Sequence, residues 1–178
     1  MTVQVSEILK IGDIRYRFDN EPLKNYLKDK RYDFDDPRCR GCCKREFGED
    51  DDGFSIFNST ACHRGYIGEW ELKNNELYLV GFESVINYRG ADGNIYGKEV
   101  DLSYLFPGAS FVKASWFTGS IFIPTGTIIG YHHGCSYSPV YSEEIVYEIE
   151  QGNVVKTSKK QYRQEDIIPE TPPEDLPF

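Results

Sequence analysis

The cysteines are the residues whose spacing points most directly to chemistry. Cys39 and Cys42 are separated by two residues, the spacing at which two thiolates bind one zinc ion, and the basic residues around them favour the thiolate form. Cys62 and His63 could complete the site, but neighbouring side chains on a strand point to opposite faces, so one ion could use only one of the two. The sequence therefore predicts either a zinc site formed by Cys39, Cys42 and Cys62, or thiols in a surface loop and no cofactor.

Basic residues next to aromatic segments indicate a second kind of site. Arg64, Trp116, His132 and His133 lie beside segments expected to form the core, and we expect them to border one binding cleft. Adjacent histidines on a strand would send one ring inward and the other outward. Direct activation of Cys135 by His133 is unfavourable, because residues two apart on a strand place their Cβ atoms roughly 6 to 7 Å apart. No catalytic residue is therefore predicted.

The apolar pattern predicts that these residues are carried by β-strands. Residues 66–72 alternate between an apolar and a charged face, and Asn74-Asn75 can adopt the positive φ of a tight turn before residues 77–81 return. Similar signals predict hairpins around Gly12-Asp13, around residues 124–126 and around residues 151–153. The expected fold is mainly β, a single-domain antiparallel sheet or partly closed barrel.

One short helix is expected after the first hairpin. Asn20 can cap it and Pro22 suits its first turn, while Leu23, Tyr26 and Leu27 recur at helical spacing. The following residues, 33–52, contain eight acids and four bases but no apolar period. They are expected to form a long surface loop.

Charge and length exclude several classes of partner. The 178 residues include 20 Lys and Arg against 29 Asp and Glu, a net charge of −9, and an acidic surface repels nucleic acid. Residues 1–18 lack the apolar stretch of a secretory signal, and no window suits a membrane span. We expect a cytoplasmic protein with one domain over residues 1–163. Residues 164–178, with five acids, no base and four of the nine prolines, are expected to be a flexible tail.

Two blocks of the sequence resemble a family of uncharacterised bacterial proteins. The first block reads Ser-Thr-Ala-Cys-His-Arg-Gly-Tyr over residues 59–66, followed by Trp-Glu at 70–71 and Leu-Tyr-Leu at 77–79. The second reads Trp-Phe-Thr-Gly over 116–119, followed by Pro-Thr-Gly at 124–126 and Tyr-His-His-Gly at 131–134. His63 stands where the family usually has tryptophan. The resemblance implies a bacterial protein, and it implies no catalytic residue because no activity is established for the family.

These patterns favour recognition over catalysis. An acidic surface with many tyrosines suits a binding protein, and no catalytic motif is present in the sequence. We expect a non-enzymatic protein-binding or regulatory module that neutralises a protein partner. Two alternatives stay open, namely a hydrolytic or metal-dependent enzyme that uses the histidines and Cys62, and a zinc-stabilised structural protein.

Overall fold

The described part of the chain folds into a large β-sheet with two short helices. The structure, a computed structural model, describes residues 5–29, 55–56, 62, 64–89, 92, 94–133 and 137–163. Cys39, Cys42, the predicted loop and the predicted tail lie outside these residues. The elements are β1 (Glu7–Ile11), β2 (Ile14–Phe18), α1 (Lys24–Asp29), β3 (Ser55–Ile56), β4 (Tyr66–Lys73), β5 (Glu76–Arg89), β6 (Ile95–Val100), α2 (Leu102–Leu105), β7 (Val112–Lys113), β8 (Gly119–His133), β9 (Tyr137–Glu150) and β10 (Asn153–Gln161).

Strand β5 is the centre of the sheet. Ten strands belong to the sheet, and the path across it runs β2-β1-β4-β5-β10-β9-β8, with β3, β6 and β7 also paired to β5. The pairings are antiparallel except that of β1 with β4, which is parallel. The mainly β fold with an antiparallel sheet is therefore confirmed. No pairing joins β2 to β8 in the described part of the chain, so the sheet formed by these residues is not a closed barrel.

The two ends of the sheet approach each other. Strands β2 and β8 are last in the strand order at either end, yet they are in contact. The backbone N–H of Phe122 in β8 donates to Oδ1 of Asn20 at 2.9 Å. This bond occupies the side chain that the sequence suggested as a helix cap, so that prediction is wrong. Helix α1 begins instead at Lys24, whose N–H donates to the carbonyl of Glu21 at 3.1 Å.

The prediction of a single helix is also wrong, because α2 follows β6. Asp101 has an extended backbone, and its carboxylate accepts a hydrogen bond from the N–H of Ser103 at 2.9 Å. This is the usual bond of an N-cap residue. A helix of four residues is too short to show an apolar period, so the sequence pattern did not reveal it.

Residues 124–126 do not form the predicted turn. Strand β8 continues through them and pairs with β9 on both sides of this segment. Gly126 has a φ of 80°, and the pairing register shifts between Thr125 and Ile128 and again between Ile128 and Gly130. These shifts are typical of β-bulges, which accommodate an extra residue within a strand. The proline and glycine therefore mark an irregular strand rather than its end.

The other three predicted hairpins are confirmed, and their turns have the expected backbone. Asn74 and Asn75, between β4 and β5, have φ values of 53° and 60°. Gln151 and Gly152, between β9 and β10, have φ values of 47° and 77°. Positive φ at both central residues matches the right-handed twist of the flanking strands. Gly12 in the first hairpin has a φ of 59°.

Strands from both ends of the sheet share one core with α1. Trp70 and Tyr66 on β4 are its largest buried side chains, and Leu27 of α1 and Leu23, which immediately precedes α1, are fully buried in the same core. The remaining large members are Leu9, Phe18, Leu77, Leu79, Phe82, Leu102, Ile121, Ile123 and Ile149. Because β1, β4, β5 and β8 all contribute, the core depends on the curvature that brings the sheet ends together.

Gly152 is predicted to tolerate no side chain. It has a φ of 77°, and a Cβ there would lie 2.8 Å from the carbonyl oxygen of Ala114. Gly152→Ala should lower the free energy of unfolding by about 2–4 kcal/mol in urea denaturation. Gly12→Ala is the control, because Gly12 has a similar φ of 59° but no atom within 4 Å of the added Cβ. The control should lose only about 1 kcal/mol; equal losses would contradict the role of the Ala114 contact.

Candidate functional site

A buried carboxyl group, that of Glu7, lies where β1 pairs with β4. The parallel register sets Leu9 opposite Trp70, and the Glu7 side chain is fully buried. The indole N–H of Trp70 donates a hydrogen bond to Oε2 of Glu7. A Cβ at Gly68 would lie 2.6 Å from that oxygen. Because Gly68 has no side chain, the Glu7 carboxyl group can occupy this space.

Arg64 is the cation beside this carboxyl group. Its side chain is 8% exposed, and its Nε lies 3.5 Å from Oε1 of Glu7. The guanidinium carbon also lies 5.6 Å from the ring centre of Tyr66. Within the described residues, Nε and Nη2 of Arg64 have no hydrogen-bond partner. Because Oε1 of Glu7 also has no hydrogen-bond partner within the described residues, Arg64 offsets only part of the cost of burying a charged carboxylate here.

Burial controls the protonation of Glu7. It raises the pKa of the Glu7 carboxyl group from 4.5 to about 8, although the hydrogen bond from Trp70 and the charge of Arg64 lower this pKa. Enzymes use carboxyl groups with raised pKa values as general acids, but a general acid must come within roughly 3 Å of a reacting atom. Since Glu7 has no exposed surface, we assign this group to the fold rather than to catalysis.

An open cleft of about 780 Å³ shares Tyr66 with this cluster. Its walls come from the start of β4, the second half of β5, β6 and α2, and include Cys62, Lys98 and Tyr104. The charged side chains along it, Glu83, Lys98, Glu99 and Asp101, are all exposed. Ligand sites usually combine apolar walls with a few fixed polar groups. This cleft instead presents exposed charges of both signs.

Cys62 is the predicted zinc ligand that falls within the described residues. Its thiol donates a hydrogen bond to the carbonyl oxygen of Tyr66, with a distance of 3.3 Å between sulfur and oxygen. In the described part of the chain, no three His, Cys, Asp or Glu side chains are grouped closely enough to hold a metal ion. Cys39 and Cys42 lie outside that part, so the zinc site stays a prediction.

Trp116 lies in an aromatic cluster between the two helices. Its ring centre is 4.7 Å from that of Tyr26 and 5.6 Å from that of Phe106. Its Nε1 donates to the carbonyl oxygen of Pro22 at 3.1 Å. Tyr26 belongs to α1 and Phe106 ends α2, so Trp116 joins these elements. Its polar atom is used within the fold.

His132 and His133 lie near the end of β8, where they pair with β9. Trp116 precedes the start of the same strand, and a strand rises about 3.3 Å per residue, so the histidines and Trp116 lie toward opposite ends of β8. Arg64 contacts Glu7 in the core. The structure therefore places the four predicted binding residues in three different environments rather than around one cleft.

The last part of β8 and the first part of β9 form a two-stranded extension. We call residues 127–133 and 137–142 the β8–β9 arm. The register of β10 with β9 ends at Gln161, opposite Glu143, and the N–H of Tyr162 makes one more bond, to the carbonyl oxygen of Ser142 at 2.8 Å; among the described residues, the rest of the arm extends beyond this third strand. Ile128 and Tyr131 in the arm are 49% and 42% exposed. The arm is therefore a protruding ribbon with apolar and aromatic side chains at its surface.

Both Glu7 and the arm have signals in the sequence that lie outside the motifs considered for a site. Glu7 interrupts the alternating series of Val5, Leu9 and Ile11, so a carboxyl group occupies a position on the apolar face of a strand. The arm falls within an interval from residue 114 to residue 142 that contains no Asp, Glu, Lys or Arg. In a chain that is 28% charged, such an interval indicates a surface with an unusual role.

Comparison of the chain with protein-family models, with curated proteins and with solved structures finds no match. The resemblance of residues 59–79 and 116–134 to a bacterial family therefore stays a prediction. Among the described residues, no helix has the length and apolar character needed to cross a membrane.

The stability of the protein is predicted to fall as pH rises from about 5 to 8. With a pKa of about 8 in the folded state against 4.5 for the ordinary group, Glu7 keeps a proton that the unfolded chain has lost. The free energy of unfolding should therefore decrease by up to about 1.4 kcal/mol per pH unit across this interval. Urea denaturation at several pH values measures the slope, and Glu7→Gln should remove it.

Glu76→Gln is the control for this measurement. The hydrogen bond from Lys113 lowers the pKa of the half-buried Glu76 carboxyl group, so the contribution of Glu76 to stability is lost only as pH falls below its ordinary pKa of 4.5. Glu76→Gln should keep the wild-type slope between pH 5 and 8. Parallel pH profiles for the wild type and Glu7→Gln would contradict the assignment to Glu7.

Proposed function

We propose that this chain is a non-enzymatic protein-binding module that uses the side chains of the β8–β9 arm. The observation that carries the proposal is the exposure of Ile128 and Tyr131 on a protruding ribbon without Asp, Glu, Lys or Arg. The centres of protein interfaces are enriched in tyrosine and depleted of charged residues. The rest of the chain, with a net charge of −9, has the opposite character.

The stability of a two-stranded ribbon also favours a partner. Such a ribbon is marginally stable in water unless a third strand or a packed face supports it. Strand β10 supplies a third strand only up to Gln161. Ile128 pairs with Tyr141 across the arm, which gives a partner a joined aliphatic and aromatic surface to cover.

The chemistry of the arm favours protein over nucleic acid, and binding over catalysis. Phosphate binding depends on Lys and Arg, and the arm contains neither. The buried Glu7 carboxyl group is inaccessible to a substrate, and the Cys62 thiol donates to a carbonyl oxygen of its own chain. The enzymatic alternative therefore has less support than a binding role.

Ile128→Asp tests the proposed function. Placing a carboxylate in an apolar interface leaves a buried charge unpaired, so capture of a partner from a lysate should fall at least tenfold by quantitative mass spectrometry. Because Ile128 is 49% exposed, the free energy of unfolding should change by no more than about 0.5 kcal/mol. Val155→Asp is the matched control, since Val155 is 53% exposed but lies on β10 outside the arm.

The wild type and Val155→Asp should retain the same proteins in similar amounts. Retention of those proteins by Ile128→Asp as well, or capture of none by the wild type, would contradict the arm as a protein-binding surface.

A further inference from the structure

We propose that two copies of this chain associate edge to edge through residues 130–133 of β8, so that their arms form one antiparallel sheet of four strands. Along these residues β8 pairs with β9, and no other described strand pairs with β8. The other edge of β8 thus presents backbone donors and acceptors to which an extended chain can bind. This inference concerns the backbone edge of the arm and goes beyond the proposed function of its side chains.

The first part of the β8 edge is protected against such pairing. Phe122 donates its N–H to Asn20, and Pro124 has no N–H to donate. The register shifts between Thr125 and Gly130 then make the strand irregular. Folded proteins use bulges and prolines to prevent edge pairing. All of these features precede the proposed contact.

The end of the β8 edge lacks this protection. Residues 130–133 pair in regular register with residues 137–140 of β9, and they include no proline, lysine or other charged residue except the two histidines. The opposite edge of the arm, on β9, contains Pro139, which removes a backbone donor. Residues 130–133 are therefore the part of the arm best suited to accept another strand.

The uncharged arm is the surface at which two copies of this acidic chain can meet, and we take a second copy as the occupant. Two molecules that each carry a net charge of −9 repel each other over most of their surfaces. The arms avoid this repulsion, because they extend past the end of β10 and lie in the interval without Asp, Glu, Lys or Arg. Two identical strands can pair antiparallel about a two-fold axis, which gives a closed dimer rather than a filament.

Association also gives each arm the strands that it lacks. Sheets of three or more strands are far more stable than a two-stranded ribbon. Tyr131 lies within the contact and is 42% exposed, so the tyrosines of both copies can form cross-strand contacts near the axis. Interfaces smaller than about 1,200 Å² are usually weak, so we expect a dimer with a Kd on the order of micromolar.

Sedimentation equilibrium of the intact chain, between roughly 1 and 200 µM, tests this inference. The apparent mass should rise from 20.5 kDa toward twice that value. Tyr131→Lys should raise the Kd at least about tenfold, because it places two cations near the axis and a lysine on the edge. Tyr131→Phe keeps the aromatic ring and should leave the Kd within about threefold of the wild type.

Tyr96→Lys is the matched control. Tyr96 and Tyr131 are similarly exposed, at 43% and 42%. Tyr96, however, lies on β6, where Lys98 and Glu99 already provide charge. This variant should dimerise like the wild type. Circular dichroism spectra that match the wild type would establish that the lysine variants are folded.

A mass of 20.5 kDa at every concentration would overturn the dimer. An unchanged Kd for Tyr131→Lys would overturn the proposed contact, and so would a Kd that Tyr96→Lys raises as much as Tyr131→Lys does. The capture experiment with Ile128→Asp separates the two proposals. A monomer that still captures proteins through Ile128 contradicts the dimer alone. A dimer that captures no other protein contradicts the proposed function alone.

Discussion

The buried indole N–H of Trp70 requires an acceptor inside the core, and Glu7 supplies it from 63 residues away in the sequence. An unpaired buried donor costs about 1–3 kcal/mol, whereas an unpaired buried carboxylate costs considerably more. The raised pKa of Glu7 avoids both costs, because a protonated carboxyl group can accept the indole hydrogen bond without introducing a buried negative charge. Side chains as well as backbone bonds therefore attach the β1–β2 hairpin to the sheet.

The parts of the fold that depend on local contacts could be predicted from the sequence. Alternating apolar residues around Asn74-Asn75 and Gly12-Asp13 predicted two hairpins, because turn residues and strand faces are both set locally. Residues 124–126 show the limit of this reasoning. Proline and glycine can produce a turn or an irregular strand, and the presence of β9 along this segment decides between them. The parallel pairing of β1 with β4 is likewise not indicated by any local pattern in the sequence.

The candidate site was harder to predict, because its residues are brought together over long distances in the sequence. Arg64 was expected to border a cleft beside the core, but no local pattern identified Glu7 as its partner. Trp116 and the histidines were expected together because they lie in one block of the sequence, residues 116–134, beside segments expected to form the core. Strand β8 separates them by its length of 15 residues. Sequence proximity is a poor guide to spatial proximity when a long strand lies between the residues.

Strands β1 and β4 can pair only after the chain between them has formed a large loop. The β4–β5 and β9–β10 hairpins close through two-residue turns, so they carry a much smaller entropic cost and should form earlier during refolding. The N-terminal hairpin should then dock last, and its amide hydrogens should become protected from exchange after those of β5. Because docking moves Glu7 from water into the core, near neutral pH this final step should take up a proton from the solvent.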